Sequence, residues 1–179
     1  INGQRVGDFV FAPGFTDYNK RVYYQTYDVT DLVNADGENV FATLLGEGWY
    51  AGYLGFLLQL PGFSGRDHYG DAPRFRGQLE IEYSDGTTET IATNDHWKAA
   101  YGHIREADML MGETHDYRLA QKGWMASGFD DSTWEIAASS TPHDVPVQAH
   151  PGNPVTRHER ISAVSVKEME PRVYIYDLG

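Results

Sequence analysis

Along residues 74–83 apolar and polar positions alternate. Phe75, Gly77, Leu79, Ile81 and Tyr83 fall on one side, and Arg74, Arg76, Gln78, Glu80 and Glu82 on the other. A period of two is that of a half-buried β-strand. Ser84-Asp85-Gly86 follows, turn chemistry that predicts a hairpin with residues 87–93. Residues 20–29 (KRVYYQTYDV) carry β-formers on both faces, so a strand is predicted there without a buried face being assigned. After the turn pair Asp36-Gly37, residues 39–45 (NVFATLL) form an apolar run suited to a buried strand. Shorter strands are predicted at 5–11, ahead of a Pro13-Gly14 turn, and at 161–166 and 173–176.

Helical signals are brief. Residues 29–33 predict one turn capped by Thr30, and residues 130–134 another. No amphipathic repeat exceeds about ten residues, which excludes helical bundles and barrels. Two segments read as long loops, 46–73 with its Gly and aromatics and 139–158 with its Pro, His and Ser. Aromatics at 13%, with 19 Gly and 8 Pro, agree with strands joined by many turns. The fold class is therefore all-β, a β-sandwich of the jelly-roll kind. At 179 residues one domain is expected, with residues from about 160 to 179 leading toward a next domain.

Charge narrows the function. The 26 acidic residues against 14 Lys and Arg give a formal net charge of −12, which argues against nucleic-acid binding. No run approaches the ~18 apolar residues of a membrane span, so a soluble protein with no membrane partner is expected, its compartment open. With no cysteine, disulfides, thiolate metal sites and a cysteine nucleophile are excluded. The chain opens with Ile1 rather than Met, which fits an excised fragment or a processed form.

Catalytic motifs are missing: there is no G-x-S-x-G, H-E-x-x-H, P-loop or G-x-G-x-x-G. The histidines (68, 96, 103, 115, 143, 150 and 158) are scattered as surface or turn residues. Three segments instead set aromatics beside acids within turns: Gly14-Phe15-Thr16-Asp17-Tyr18-Asn19-Lys20-Arg21, Gly46-Glu47-Gly48-Trp49-Tyr50-Ala51-Gly52-Tyr53, and Arg66-Asp67-His68-Tyr69-Gly70-Asp71-Ala72-Pro73. Aromatic faces stack on the apolar side of a sugar ring, and carboxylates accept hydrogen bonds from its hydroxyls. The plainer reading of each segment is a glycine-rich turn with its aromatic in the core. Exposure of Trp49 and Tyr50 beside acids, against burial, separates the two.

The ordered set Val6-Gly7-Asp8, Ala12-Pro13-Gly14-Phe15-Thr16-Asp17-Tyr18, Tyr24-Gln25-Thr26-Tyr27-Asp28-Val29-Thr30, Leu45-Gly46-Glu47-Gly48-Trp49-Tyr50, Gly112-Glu113-Thr114-His115-Asp116-Tyr117-Arg118 and Phe129-Asp130-Asp131-Ser132-Thr133-Trp134 resembles the N-terminal domain of bacterial α-L-rhamnosidases. The likeness implies a galactose-binding-domain-like jelly roll with no catalytic residue of its own. Hydrolysis in that family belongs to a downstream (α/α)6 barrel, which would be this domain's partner within the same polypeptide. It further implies a site for L-rhamnose-containing glycans or glycosides, with sugar contacts at Asp17, Tyr18, Trp49, Tyr50, His68, Tyr69, Gly70, Asp71, Pro73 and Glu113. Some related domains hold calcium between protein and sugar oxygens, and Asp17, Asn19 and Asp71 would be its ligands here. Calcium needs six to eight oxygens, and this chain has Asp17-Tyr18 where a calcium-using relative has Asp-Asn. For Glu113 and Asp116 the alternative is a structural pair in which one of them holds Arg118. For the whole domain the alternative is a packing unit with no sugar site.

Overall fold

The computed structural model describes residues 1–55, 65–140 and 144–179. Part of the 46–73 segment and His143 lie outside the described residues. Within them the chain is all-β, a jelly-roll sandwich with almost no helix. Its strands are β1 (Val22–Tyr24), β2 (Gln78–Glu82), β3 (Thr88–Ala92), β4 (Lys98–Ala99), β5 (Ile104–Asp108), β6 (Gly112–His115), β7 (Glu135–Ile136), β8 (Val147–Ala149), β9 (Ser165–Glu170) and β10 (Val173–Asp177). They pair in twos: β2 with β3, β4 with β7, β5 with β6 and β9 with β10 run antiparallel, while β1 and β8 run parallel.

The β2–β3 hairpin follows from its sequence. Leu79 faces Ile91 and Glu82 faces Thr88, and along β2 Leu79 and Ile81 are the sheltered positions. The Tyr83 N–H donates to the Thr87 carbonyl at 2.8 Å, and Gly86 takes φ +83°, a conformation that glycine adopts without a Cβ penalty. The Asp85 carboxylate accepts from the Thr87 N–H and hydroxyl at 2.9 and 2.7 Å.

Elsewhere the ladder is shorter than the pattern predicts. Residues 5–11 form no strand; their link across the chain is the Val10 N–H donating to the Val155 carbonyl at 2.8 Å. The strand predicted over 20–29 contracts to β1, because its parallel partner β8 offers only three residues. Residues 39–45 form no buried strand: Phe41, Leu44 and Leu45 are exposed, and Phe41 meets the rings of Phe75 and Trp97 at 6.4 and 5.6 Å. The turn near residue 30 is a 3-10 helix, Thr30–Leu32, whose N-cap is Val29 rather than Thr30 and makes no side-chain cap bond. The Asp28 Oδ1 accepts from the Thr30 N–H at 3.0 Å and its hydroxyl at 2.7 Å. Residues 130–134 close as a turn, with the Trp134 N–H on the Asp131 carbonyl at 3.0 Å. Trp134 is anchored by its Nε1–H donating to Gln121 Oε1 at 2.8 Å and by the rings of Trp124 and Phe129. The 139–158 segment supplies β8.

Asn39 ties the N-terminus to the following turn. Its Oδ1 accepts from Asn2 Nδ2 and the Asn34 N–H at 2.8 Å each, and its Nδ2 donates to the carbonyls of Asn34 and Gly37. The chain exposes 14,250 Å² for 20.1 kDa, against about 8,700 Å² for a compact monomer of that mass. Ile1, Thr16, Tyr18 and Ala51 are buried, so the best-sheltered part of the chain lies where the N-terminal loop meets residues 48–51.

Candidate functional site

Backbone hydrogen bonds set the three aromatic segments in place. The Asp17 carbonyl accepts from the N–H groups of Lys20 and Arg21 at 2.8 and 3.0 Å, curling the first segment into a tight turn. The second segment is a single helical turn, α1 (Gly48–Ala51). The third is strapped to it: the Asp67 N–H donates to the Ala51 carbonyl, and the Leu54 N–H to the Gly65 carbonyl. Side chains complete the frame. Arg66 pairs with Glu47, Glu47 also accepts from the Ala107 N–H at 3.4 Å, and Asp108 Oδ2 accepts from the Tyr53 N–H at 2.5 Å. The β5–β6 hairpin thus braces the α1 loop.

The rings of all three segments meet. Phe15 contacts Trp49 at 5.5 Å and Tyr18 at 6.2 Å. Tyr18 contacts Tyr50 at 5.7 Å and Tyr69 at 5.0 Å, and Tyr69 contacts His68 at 4.7 Å. All are T-shaped or edge arrangements, which place the positive ring edge on a neighbour's negative face. Tyr18 is the hub and is 8% exposed; its hydroxyl donates to the Gly14 carbonyl at 3.0 Å. Burial pushes its phenol up to about 12. Tyr18 is thus a supporting ring rather than a surface for sugar, because its faces are covered by its neighbours. Trp49, Tyr50 and Tyr69 are half-buried, between the platform and core extremes. Gly70 lies against the Tyr50 ring, where a side chain would collide.

The charged groups sit at the rim. Asp17 pairs with Lys20 at 3.1 Å and accepts from the Asn19 N–H at 3.2 Å. The Lys20 hydrogen bond holds its carboxyl below the usual range, and His68 adds to this electrostatically. Asp71 is exposed and Pro73 half-buried beyond Gly70. Asp17 pairs with Lys20, Asn19 lends its N–H to Asp17 and Asp71 is exposed; a calcium ion held by these three residues would need further oxygens from backbone, water or sugar.

Glu113 faces Ala107 across the hairpin that braces the α1 loop. It lies on β6 and bonds His115 Nε2 at 2.9 Å, with no ring of the aromatic cluster among its partners. Arg118 is held by Asp116 instead, in a two-pronged fork of 2.8 and 2.5 Å. Two residues of the cluster escaped the sequence reading as candidates. Phe15 is 55% exposed and stands two residues before Asp17; its signal was its place inside the first segment. Arg74 lies over the Tyr50 ring at 5.9 Å, whereas the alternation of residues 74–83 marked it as one more polar-face residue. No helix among the described residues is long and apolar enough to cross a membrane.

Comparison with known proteins agrees with this architecture. The family model described as the α-L-rhamnosidase N-terminal domain matches residues 1–159. An α-L-rhamnosidase of Streptomyces avermitilis is 45% identical over 181 residues, covering 100% of this chain and 17% of the relative. One of Alteromonas sp. (strain LOR) is 35% identical over 183 residues, covering 100% and 19%. The crystal structure of the Streptomyces avermitilis α-L-rhamnosidase complexed with L-rhamnose superposes with a TM-score of 0.81 at 40% identity, over 99% of this chain and 16% of that one. Native α-L-rhamnosidase from Aspergillus terreus gives 0.77 at 34% identity, over 99% and 20%. The chain therefore spans a fifth or less of the length of these relatives. With a family model across most of its length and relatives matched from end to end, the chain belongs to the α-L-rhamnosidase N-terminal domain family.

Proposed function

We propose that this domain is a non-catalytic accessory module that binds terminal L-rhamnose or rhamnosides and supports the catalytic domain of a longer α-L-rhamnosidase. The observation that carries the reading is the convergence of the three aromatic segments, with the exposed Phe15 against the half-buried Trp49. Phe15 and Trp49 would offer apolar faces to the ring carbons, and Asp17 would accept from a hydroxyl. The L-rhamnose in the Streptomyces avermitilis complex supports the choice of sugar. Hydrolysis is assigned to the rest of the polypeptide, where the family places its helical barrel.

An open edge with one or two stacking rings predicts a Kd on the order of 0.1–1 mM. Isothermal titration with L-rhamnose, with and without calcium, tests it. No heat and no chemical-shift change at 20 mM-scale sugar (about twenty times the weakest Kd expected) overturns the sugar site. The second reading, a packing unit alone, is favoured by the wide apolar exposure of the chain, including Leu44, Ile91, Met111 and Ile175.

A further inference from the structure

We infer that Asp108 is a positioning residue for the turn that carries Trp49 and Tyr50, holding it through one carboxylate oxygen while the other shapes its own hairpin. The sugar contacts read above do not include Asp108, and the inference rests on that reading only where affinity is measured. Helix α1 is a single turn, too short to be stable by itself. Its own bonds end with the Gly52 N–H on the Gly48 carbonyl at 3.1 Å. The next donor, the Tyr53 N–H, leaves the turn and goes to Asp108 Oδ2 at 2.5 Å. Gly52 makes room for that approach, since a Cβ there would collide with the same oxygen.

Two consecutive residues of β5 grip the two ends of α1. The Ala107 N–H donates to Glu47, the residue before the turn, at 3.4 Å, and Asp108 accepts from Tyr53 just after it. Trp49 and Tyr50 lie between these grips. The other oxygen of Asp108 serves locally. Its Oδ1 accepts from the Leu110 and Met111 N–H groups at 2.7 and 2.9 Å and shapes the connection from β5 to β6. A turn cap needs only that oxygen. The second oxygen, reaching across 55 residues of sequence to Tyr53, fixes the hairpin against the aromatic loop. A carboxylate serves both segments at once because both of its oxygens accept. An amide in its place has one acceptor oxygen, which serves the hairpin or the loop but not both.

The test compares the whole chain with its Asp108→Asn, Asp108→Ala and Asn39→Ala variants. Amide exchange, the indole N–H resonance of Trp49 and titration with L-rhamnose are the three readouts. Asn39→Ala controls for general loosening, since the Asn39 bonds run to Asn2, Asn34 and Gly37 and none reaches α1. Both Asp108 variants are expected to speed exchange at Tyr53 about tenfold and to weaken rhamnose binding about five- to tenfold, with Asn the milder. The Trp49 resonance should shift in both. Asn39→Ala should leave all three readouts unchanged. Faster exchange at Leu110 and Met111 alone, with Tyr53 and Trp49 unmoved, makes Asp108 a local turn cap and overturns the inference. So does an equal displacement in Asn39→Ala, or a rhamnose Kd unchanged in both Asp108 variants. A wild type that binds no rhamnose overturns the sugar reading instead, and Tyr53 exchange and the Trp49 resonance then decide the role of Asp108. Should Asp108→Ala unfold, Asp108→Asn, which keeps the shape of the side chain, decides.

Discussion

Gly70 lies under the ring of Tyr50: a Cβ at position 70 would stand 2.4 Å from Cε1 and 2.6 Å from the hydroxyl oxygen. The ring has little freedom to retreat, with Tyr18 on one side and the Arg74 guanidinium over it. Gly70→Ala is therefore expected to push Tyr50 aside at a cost of about 1–3 kcal/mol of stability. Sugar affinity should fall with it. Chemical denaturation and a rhamnose titration of this variant check both effects.

Trp49 is half-buried, with Phe15 at 5.5 Å. Trp49→Ala should weaken sugar binding by about 1–3 kcal/mol, the usual cost of losing a stacking ring. Its destabilisation should stay below the ~3–5 kcal/mol of a fully buried aromatic. A fall in melting temperature with rhamnose affinity unchanged would assign Trp49 to packing alone.

Tyr18 predicts an alkaline weakness. Its native phenol is raised to about 12, while an unfolded tyrosine titrates near ~10. The unfolded state thus releases its proton first, so this contribution is complete below pH ~10 and is lost as pH rises toward ~12. Tyr18→Phe should flatten the stability decline across that window without abolishing it, since Tyr27, Tyr69 and Tyr83 are also raised. Near neutrality the same change should cost about 0.5–1.5 kcal/mol for the bond to the Gly14 carbonyl. Urea melts from pH 8 to 12 measure both (about one pH unit apart suffices to define the slope).

Asn39→Ala removes hydrogen bonds to Asn2, Asn34 and Gly37 together. Because the group is exposed and water replaces part of what is lost, about 1–2 kcal/mol of destabilisation is expected. Faster amide exchange at Asn34 and Val40 would locate the effect, since Val40 bonds the same Asn2 side chain at 2.8 Å.

What the sequence disclosed depended on how local each feature is. The β2–β3 hairpin was legible because alternation and the Ser84-Asp85-Gly86 turn agree within a short stretch. The β5–β6 hairpin was not: its connection runs through Met109, Leu110 and Met111, which carry no turn signal. The apolar run at 39–45 misled because hydrophobicity does not specify a ladder partner. At the candidate site, the pairing of aromatics with acids inside each segment is legible in the sequence, and the meeting of their rings is a finding of the structure. The burial of Tyr18 and the placing of Arg74 over Tyr50 depend on packing between distant segments, which a linear pattern does not encode.

The parallel pairing of β1 with β8 sets an order of events during synthesis. Val22 faces Val147, and the His150 N–H donates to the Tyr24 carbonyl at 3.0 Å. The His150 ring also lies close to Gly14, at the root of the first aromatic segment. A ribosome that has made every ring of the cluster therefore still holds a chain whose first segment lacks its clamp. Loop closure over so long an interval is slow compared with hairpin formation. The β2–β3 and β5–β6 hairpins pair residues close in sequence, whereas the first aromatic segment waits for β8 before its clamp closes.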